Sequence, residues 1–262
     1  MRFLSYKSTI TLASILAVTF PVASFAQTGE EAESSFSLGA GIAVQPKYMG
    51  SNKVEAGPII HAAYDLGYGF FASTTDGLGF GYSHEIYPDI NLLAGTAFNY
   101  RMERKDKDEL KGMGKVKGSL MNTIKFGIDI KSYVTLSIGA NIALTEHDNG
   151  SNYFISVDTP LYQTDKDDVM FSTTAYYFDS KYSQTYFGVT DKQSGTSQYR
   201  KYTPGSGFGQ IDAGVLWSHQ FSPQWSTVSY AGVSHLIGDA ADSPIAKRKT
   251  APVAAFAVIY NF

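Results

Sequence analysis

Long segments of alternating apolar residues constrain the fold of this chain more than any other feature. Every second residue from Val134 to Leu144 is apolar, and the residues between them include Thr135, Ser137 and Asn141. Such alternation gives a β-strand one apolar face and one polar face. The segments run for about ten residues, the length that crosses a bilayer at a tilt, whereas strands of globular proteins average roughly five or six. The pattern therefore favours a membrane barrel over a β-sandwich.

The same alternation recurs along the chain. The predicted strands are 36–45, 56–65, 78–83, 90–101, 123–129, 133–144, 153–159, 169–177, 182–189, 210–220, 225–235 and 252–262. Closure of such strands into a barrel satisfies the backbone groups that lipid cannot hydrate, and bacterial barrels have an even number of strands. The predicted fold is therefore all-β, a transmembrane antiparallel β-barrel of about 12 strands. About ten strands is the alternative, if residues 69–83 pair differently.

Composition agrees with this fold class and excludes others. The chain has 25 Gly, 18 Tyr and 17 Phe, only 17% charged residues and no Cys. So aromatic a chain is not disordered, and the absence of Cys excludes a disulfide scaffold and a thiol nucleophile. The formal net charge of -3 leaves no basic footprint for nucleic acid.

The N-terminus predicts export. A basic start, an apolar stretch over 10–20 and small residues up to Ala26 indicate a secretory signal peptide over 1–26 that is cleaved after Ala26. A membrane anchor is the alternative, but it needs about 20 apolar residues. We expect a polar lead over 27–35 and one barrel domain over 36–262.

The C-terminus is the most specific feature of the sequence. Phe256, Val258, Tyr260 and the terminal Phe262 form an alternating strand that ends on an aromatic residue. This pattern looks like the signal that the outer-membrane insertion machinery reads. The strand therefore predicts a Gram-negative outer-membrane location.

Aromatic residues near the predicted strand ends suit the interface girdles of such a barrel, where amphipathic rings meet the lipid headgroups. The predicted girdle residues are Tyr48, Tyr64, Tyr68, Tyr87, Tyr100, Tyr133, Tyr153, Tyr162, Trp225 and Tyr260. Between the strands, the densely charged segment 101–117 is predicted to be an extracellular loop, and 146–151, 191–207 and 238–251 are further polar loops.

Catalytic and metal-binding residues are sparse. His147 and Asp148 with Ser151 form the best catalytic candidate, but on an Asn- and Gly-containing loop the turn chemistry of Asp and Asn explains them better. We expect a protein that is not an enzyme and binds no cofactor.

The loop before the last strand offers two binding hypotheses. Asp239 and Asp242 beside Ser243 could supply oxygen ligands to a divalent cation, although Asx turns before Pro244 explain them better. The basic run 247–249 could pair with lipopolysaccharide phosphates, or could simply be solvated.

Several motifs together resemble the MltA-interacting protein family, MipA/OmpV, of Gram-negative outer membranes. One motif, His147-Asp148-Asn149-Gly150, departs from the family's usual Gly-His-Asp-Gly form, because Glu146 precedes the His and Asn149 is inserted. The others are Pro46-Lys47-Tyr48-Met49-Gly50-Ser51, Leu110-Lys111-Gly112-Met113-Gly114, Tyr199-Arg200-Lys201-Tyr202-Thr203-Pro204-Gly205-Ser206-Gly207 and, most specific, Asp239-Ala240-Ala241-Asp242-Ser243-Pro244-Ile245.

The resemblance implies a non-enzymatic outer-membrane scaffold. The member that names the family is understood to hold a lytic transglycosylase near a bifunctional penicillin-binding protein, so that murein cleavage and synthesis are coordinated. Other members look like adhesins or stress-response proteins, and a small-solute channel is a further alternative. The partners implied are outer-membrane lipid and lipopolysaccharide, the murein enzymes and the insertion machinery.

Overall fold

The computed structural model describes residues 34–130 and 133–262. Within them, twelve antiparallel strands form a closed barrel in which neighbours in sequence are neighbours in the wall, and the last strand pairs with the first. The predicted fold class and strand number are confirmed. The predicted signal peptide lies outside the described residues, as does all of the polar lead except its last two residues, and Ser35 already belongs to the first strand.

The strands are β1 (Ser35–Pro46), β2 (Val54–Gly67), β3 (Phe70–Ser73), β4 (Gly77–Tyr87), β5 (Ile90–Arg101), β6 (Ser119–Ile130), β7 (Val134–Ala143), β8 (Asn152–Gln163), β9 (Asp167–Phe178), β10 (Gly207–Gln220), β11 (Trp225–Leu236) and β12 (Thr250–Asn261). The helices are α1 (Ser180–Phe187), α2 (Asp191–Thr196) and α3 (Gly238–Asp242), with single 3-10 turns at Asp108–Leu110 and His147–Asn149. No helix of the described part is long and apolar enough to cross a membrane.

The alternation in sequence becomes the two faces of the wall. On β7, Leu136 and Ile138 are exposed on the outer face, whereas Ser137 between them is buried. The last strand does the same, with Phe256 and Val258 outside and Ala257 buried. An outer face that exposes large apolar side chains on strand after strand is stable only where lipid covers it.

The strand prediction contains one wrong element and lacks one real strand, and the two errors compensate in the strand count. The sequence pattern predicts a strand over 182–189, but these residues lie mainly in α1. The Asp179 side chain caps this helix by accepting a hydrogen bond from the Tyr182 backbone N–H, and the helical spacing buries Tyr182, Tyr186 and Phe187 on one face. The strand missing from the prediction is β3, which at four residues is too short to show alternation.

The two ends of the barrel differ in the length of their connections. Long segments follow β1, β5, β7, β9 and β11. The opposite end has short turns, and it also holds the start of β1 and the end of β12. In bacterial barrels the long loops are extracellular and the short turns periplasmic.

Most predicted girdle residues are exposed near strand ends, and Tyr260 is half-buried. Tyr48 is an exception to the prediction, because it is buried among the long loops.

Candidate functional site

The extracellular loops fold together over the barrel mouth into a cap with its own apolar core. Phe187, Val189 and Ile245 are 0% exposed although all lie outside the strands. Two clusters make up this core. One joins Val116, Phe178, Tyr182, Tyr186, Phe187, Leu236, Ala240 and Ala241; the other joins Tyr48, Leu110, Met113, Val189, Tyr199 and Ile245. We call these packed loops the extracellular cap.

The first and last long loops meet in the cap. The Gly50 carbonyl accepts hydrogen bonds from the backbone N–H groups of Lys247 and Arg248 at 2.7 and 3.0 Å. The Tyr48 hydroxyl donates to the Ile245 carbonyl at 3.5 Å. Burial is the main cause that raises the pKa of the Tyr48 phenol. The motif over residues 46–51 thus meets the last long loop through Tyr48 and Gly50, whereas the Ser51 hydroxyl bonds locally to the Lys53 carbonyl at 3.0 Å.

The Asp239–Pro244 segment anchors the same cap. The Asp239 carboxylate accepts the Gly205 backbone N–H at 2.7 Å, and the Asp239 carbonyl accepts the Tyr202 hydroxyl at 2.8 Å. Buried Ser243 donates to the Phe187 carbonyl at 2.5 Å. Asp242 instead pairs with Lys249 at 3.2 Å. The two carboxylates thus have separate protein partners, and these bonds to Gly205 and Lys249 differ from the local Asx turns that the sequence pattern favours.

His147 and Asp148 also have separate partners. The His147 Nδ1 lies 2.8 Å from the Ala143 carbonyl oxygen, whereas the Asp148 carboxylate pairs with Lys181 of α1 at 3.1 Å. The Gly150 carbonyl accepts from Arg101 at 3.2 Å. The motif therefore fixes the β7–β8 loop against α1 and β5, and its side chains do not converge on a reacting atom.

Two arginines and two tyrosines form the lower surface of the cap, facing the lumen. The Arg101 guanidinium lies 4.9 Å from the centre of the Tyr182 ring, and that of Arg104 lies 5.9 Å from the Tyr186 ring. Arg104 also donates to the Tyr186 carbonyl at 3.3 Å, while its Nε is buried without a hydrogen-bond partner. Burial is the largest influence on the pKa of Arg104 and lowers it, but guanidinium groups remain charged in proteins.

Ion pairs connect the charged β5–β6 loop to the β1–β2 loop. Lys53 pairs with Glu109, and Lys47 lies 3.7 Å from Asp108. The hydrogen bond from Lys53 is the main cause that lowers the pKa of Glu109 and raises that of Lys53. The charged loop is therefore held across the mouth.

Below the cap, the lumen contains a cavity of about 1030 Å³. Polar side chains line its deeper part, among them Lys125, Asp158 and Asp212. Arg101, Arg104, Tyr182 and Tyr186 line its upper part. Among residues 34–130 and 133–262 no group of three or more His, Asp or Glu side chains is placed to hold a metal ion. The cavity can accept a polar or amphipathic guest, but its lining does not form a recognisable acid, base and nucleophile set.

The sequence model of the family described as MltA-interacting protein MipA matches residues 38–262. The chain belongs to the MipA family. The match covers every barrel strand from Leu38 onward, together with all the loops of the cap. The resemblance inferred from the motifs is thereby confirmed, and the chain is an outer-membrane β-barrel.

Relatives of this MipA-family chain are outer-membrane proteins. Outer membrane protein Omp26La of Vibrio anguillarum and outer membrane protein OmpV of Vibrio cholerae serotype O1 are each 26% identical over 206 residues, which cover 75% of this chain and 71% of the relative. Among solved structures, an outer membrane channel from Pseudomonas putida F1 has a TM-score of 0.47 and 6% identity, covering 89% of this chain and 97% of that one. The translocator domain of the autotransporter NalP from Neisseria meningitidis has a TM-score of 0.42 and 10% identity, with 90% of each chain covered.

Sequence reasoning found most of the cap's motif residues but missed their convergence. It also missed the roles of Arg101, Arg104 and Tyr186. The available signal was the spacing of Tyr182, Tyr186 and Phe187 after Asp179, which is helical and carries an N-cap residue.

Proposed function

We propose that this MipA-family barrel is an outer-membrane scaffold that holds a murein lytic transglycosylase and a murein synthase near one another. The observation that carries the proposal is the family match over residues 38–262, because the family is described by its interaction with such an enzyme. Murein enzymes lie on the periplasmic side. A docking surface must therefore lie on the short turns, the adjoining strand ends or the polar lead.

Acidic residues outnumber basic residues in the segments that form the periplasmic rim. Its acidic residues are Asp65, Glu85, Asp89, Asp129, Asp165, Asp167 and Asp168, whereas Lys131 and Lys166 are the basic residues of the same sequence segments. In sequence, the predicted polar lead contains Glu30, Glu31 and Glu33. Charge complementarity steers association and selects partners. We infer that the docked protein presents a basic face.

The cap makes a wide solute channel less favourable as an alternative function. Loops packed over the mouth argue against a wide axial path for solutes, and barrels of about a dozen strands are narrower than porins with 16 to 18 strands. The cavity nevertheless favours a small-solute channel as the second candidate. An adhesin would use the outer surface of the cap and would need no cavity.

The experiment is crosslinking and pull-down from envelopes with the tagged full chain, followed by identification of the partners. Asp89→Lys with Asp165→Lys reverses charge on the periplasmic rim. Asp148→Lys with Asp191→Lys reverses the same charge on the extracellular side, where both carboxylates make only exposed ion pairs. We expect the wild type and the extracellular variant to recover a murein hydrolase or synthase, and the rim variant to recover much less.

Two results would overturn the scaffold proposal. One is recovery of no murein enzyme by the wild type. The other is discrete conductance in planar bilayers from the same preparation without a murein partner, which would support the channel instead.

A further inference from the structure

The barrel wall is interrupted in its extracellular half. Strand β2 has 14 residues, but its pairing with the four-residue β3 covers only Ala63 to Gly67. Thr74 extends the contact with hydrogen bonds to Ile60 and Ala62. Above them, residues 54–59 pair with β1 on one edge, and no strand of the described chain pairs with their other edge.

The interruption has defined borders. The β3–β4 turn, 74–76, forms its lower border, and the end of β5 with the following loop, 99–109, forms the far side. The ion pair between Lys53 and Glu109 closes it above. Three strand spacings of about 4.8 Å place β2 and β5 roughly 14 Å apart where β3 and β4 are missing. We call this opening, bordered by 54–59, 74–76 and 99–109, the lateral window.

The unpaired edge of β2 contains Pro58, a residue type that sheets tolerate at edges. The backbone groups of Ile60 and Ala62 bond to Thr74 across this edge of β2. Every second residue of a strand directs its backbone groups to the same edge, so Pro58 directs its own towards the window. Proline has no N–H, and within sheets it is confined to edges, strand starts and bulges. Pro58 therefore removes one unpaired donor from an edge that faces lipid, and makes pairing with an added strand less favourable.

The cavity of the lumen reaches both faces of the wall at this place. Its lining includes the inward-facing Lys125 and Asp158, and also Phe98 and Tyr100, which are exposed on the outer face of β5. Ala56, on the outer face of β2, and Thr75 in the lower border line it as well. The lumen is therefore continuous with the lipid-facing surface through the window.

We propose that the lateral window admits single-chain amphiphiles with an anionic head from the outer leaflet into the lumen. The outer border is apolar, with Ala56 and Ile60 on one side and Phe98 on the other, so it suits an acyl chain. Inside, Arg101 and Arg104 line the upper part of the cavity, and a guanidinium group can donate hydrogen bonds to an anionic head. The cavity of about 1030 Å³ lies at the upper end of the range of small-molecule sites, roughly 300 to 1,000 Å³.

The first test measures access from lipid. The chain has no Cys, so Ser156→Cys places a single thiol in the lumen. With the full chain in nanodiscs, we expect an N-alkylmaleimide dissolved in the bilayer to label this thiol. Adding Ala56→Trp, which fills the window, is expected to slow labelling at least about tenfold. Ala231→Trp, on the outer face of β11 and away from the window, is the matched control and is expected to leave the rate unchanged.

The second test measures binding. Fluorescent dansyl-undecanoic acid is titrated into the same nanodiscs, with the uncharged dansyl-undecanol as a comparison. Arg104→Gln is expected to weaken binding of the acid about tenfold, as loss of a charge-assisted hydrogen bond does, and to leave the alcohol unchanged. The exposed Arg248→Gln is the control.

The proposal is overturned if Ala56→Trp and Ala231→Trp slow labelling equally, since the window then gives no access. It is also overturned if Arg104→Gln binds the acid as tightly as the wild type does, just as it binds the alcohol. Circular dichroism and heat-modifiable migration on gels confirm that each variant is folded, so a loss of labelling or binding is assigned to the window or the arginine.

Discussion

Gly50 and Ala246 approach so closely that a Cβ added at position 50 would lie 2.8 Å from the Ala246 Cα. Gly50 also has φ +88°, a conformation that L side chains rarely adopt. This contact joins the first and last long loops of the cap.

Gly50→Ala is therefore expected to destabilise the cap by about 2 to 3 kcal/mol, from backbone strain and displacement of the partner loop together. Hydrogen exchange of residues 47–53 and 243–248 measures the effect. Gly114→Ala is the matched control, because Gly114 has φ +81° but nothing within 4 Å of an added Cβ. Its cost should be about 1 kcal/mol, from strain alone. Equal exchange in the two variants would contradict the packing argument.

Ser243→Ala is expected to loosen α1 from the last long loop. The Ser243 hydroxyl donates to the Phe187 carbonyl and accepts the Ile245 N–H at 3.2 Å, and all three residues are buried. Removing it leaves two buried backbone groups unpaired, at a cost of about 1 to 3 kcal/mol. Faster hydrogen exchange across 180–188 should report the loss. The exposed Ser206→Ala should change nothing measurable, and a similar response there would argue against the assignment.

Acidification is expected to loosen the junction between the β1–β2 and β5–β6 loops. The pKa of Glu109 is lowered, chiefly by the hydrogen bond from Lys53. Its contribution to stability is therefore complete above the unfolded pKa of about 4.3 and is lost as pH falls through the lower folded value. Limited proteolysis of the loops from pH 7 to pH 3 checks this. Glu109→Gln should be cleaved faster at pH 7 and show a weaker pH dependence below pH 5.

Phe262→Ala is expected to reduce the yield of assembled barrel. The Phe262 N–H donates to the Phe36 carbonyl at 2.9 Å, and their rings stack 5.3 Å apart, so the last residue helps to join β12 to β1. The same residue is the end of the predicted insertion signal. Heat-modifiable migration of envelope fractions measures assembly. Phe221→Ala, an exposed aromatic in a periplasmic turn, is the control, and an equal loss there would indicate a general effect of surface aromatics.

The sequence predicted the wall well because a barrel strand repeats one local rule along its whole length. The strand over 134–144 follows from alternation alone. Strand β3 does not, because four residues contain too few alternations to separate from a turn. Residues 182–189 were mistaken for a strand because their aromatic and polar residues also alternate in part, whereas the helix depends on the Asp179 cap and on burial of Tyr182 and Tyr186 against the cap core.

The cap and the lateral window lie beyond sequence reasoning for a different reason. Both depend on which loops meet, as Tyr48 meets Ile245 across 197 positions, and on where a pairing stops. A single sequence carries no local signal for either. The sequence places the motif residues in turns. That these turns pack together in one cap is visible only in the structure.

The junction of Tyr48 with Ile245 also sets an order of events in assembly. One residue follows the first strand and the other precedes the last, so we expect this part of the cap core to form only once β12 has closed on β1. Contacts between such distant segments form late in folding, because the loop-closure entropy must be met first. Protease resistance of the cap at the cell surface would therefore report that an individual barrel has been completed.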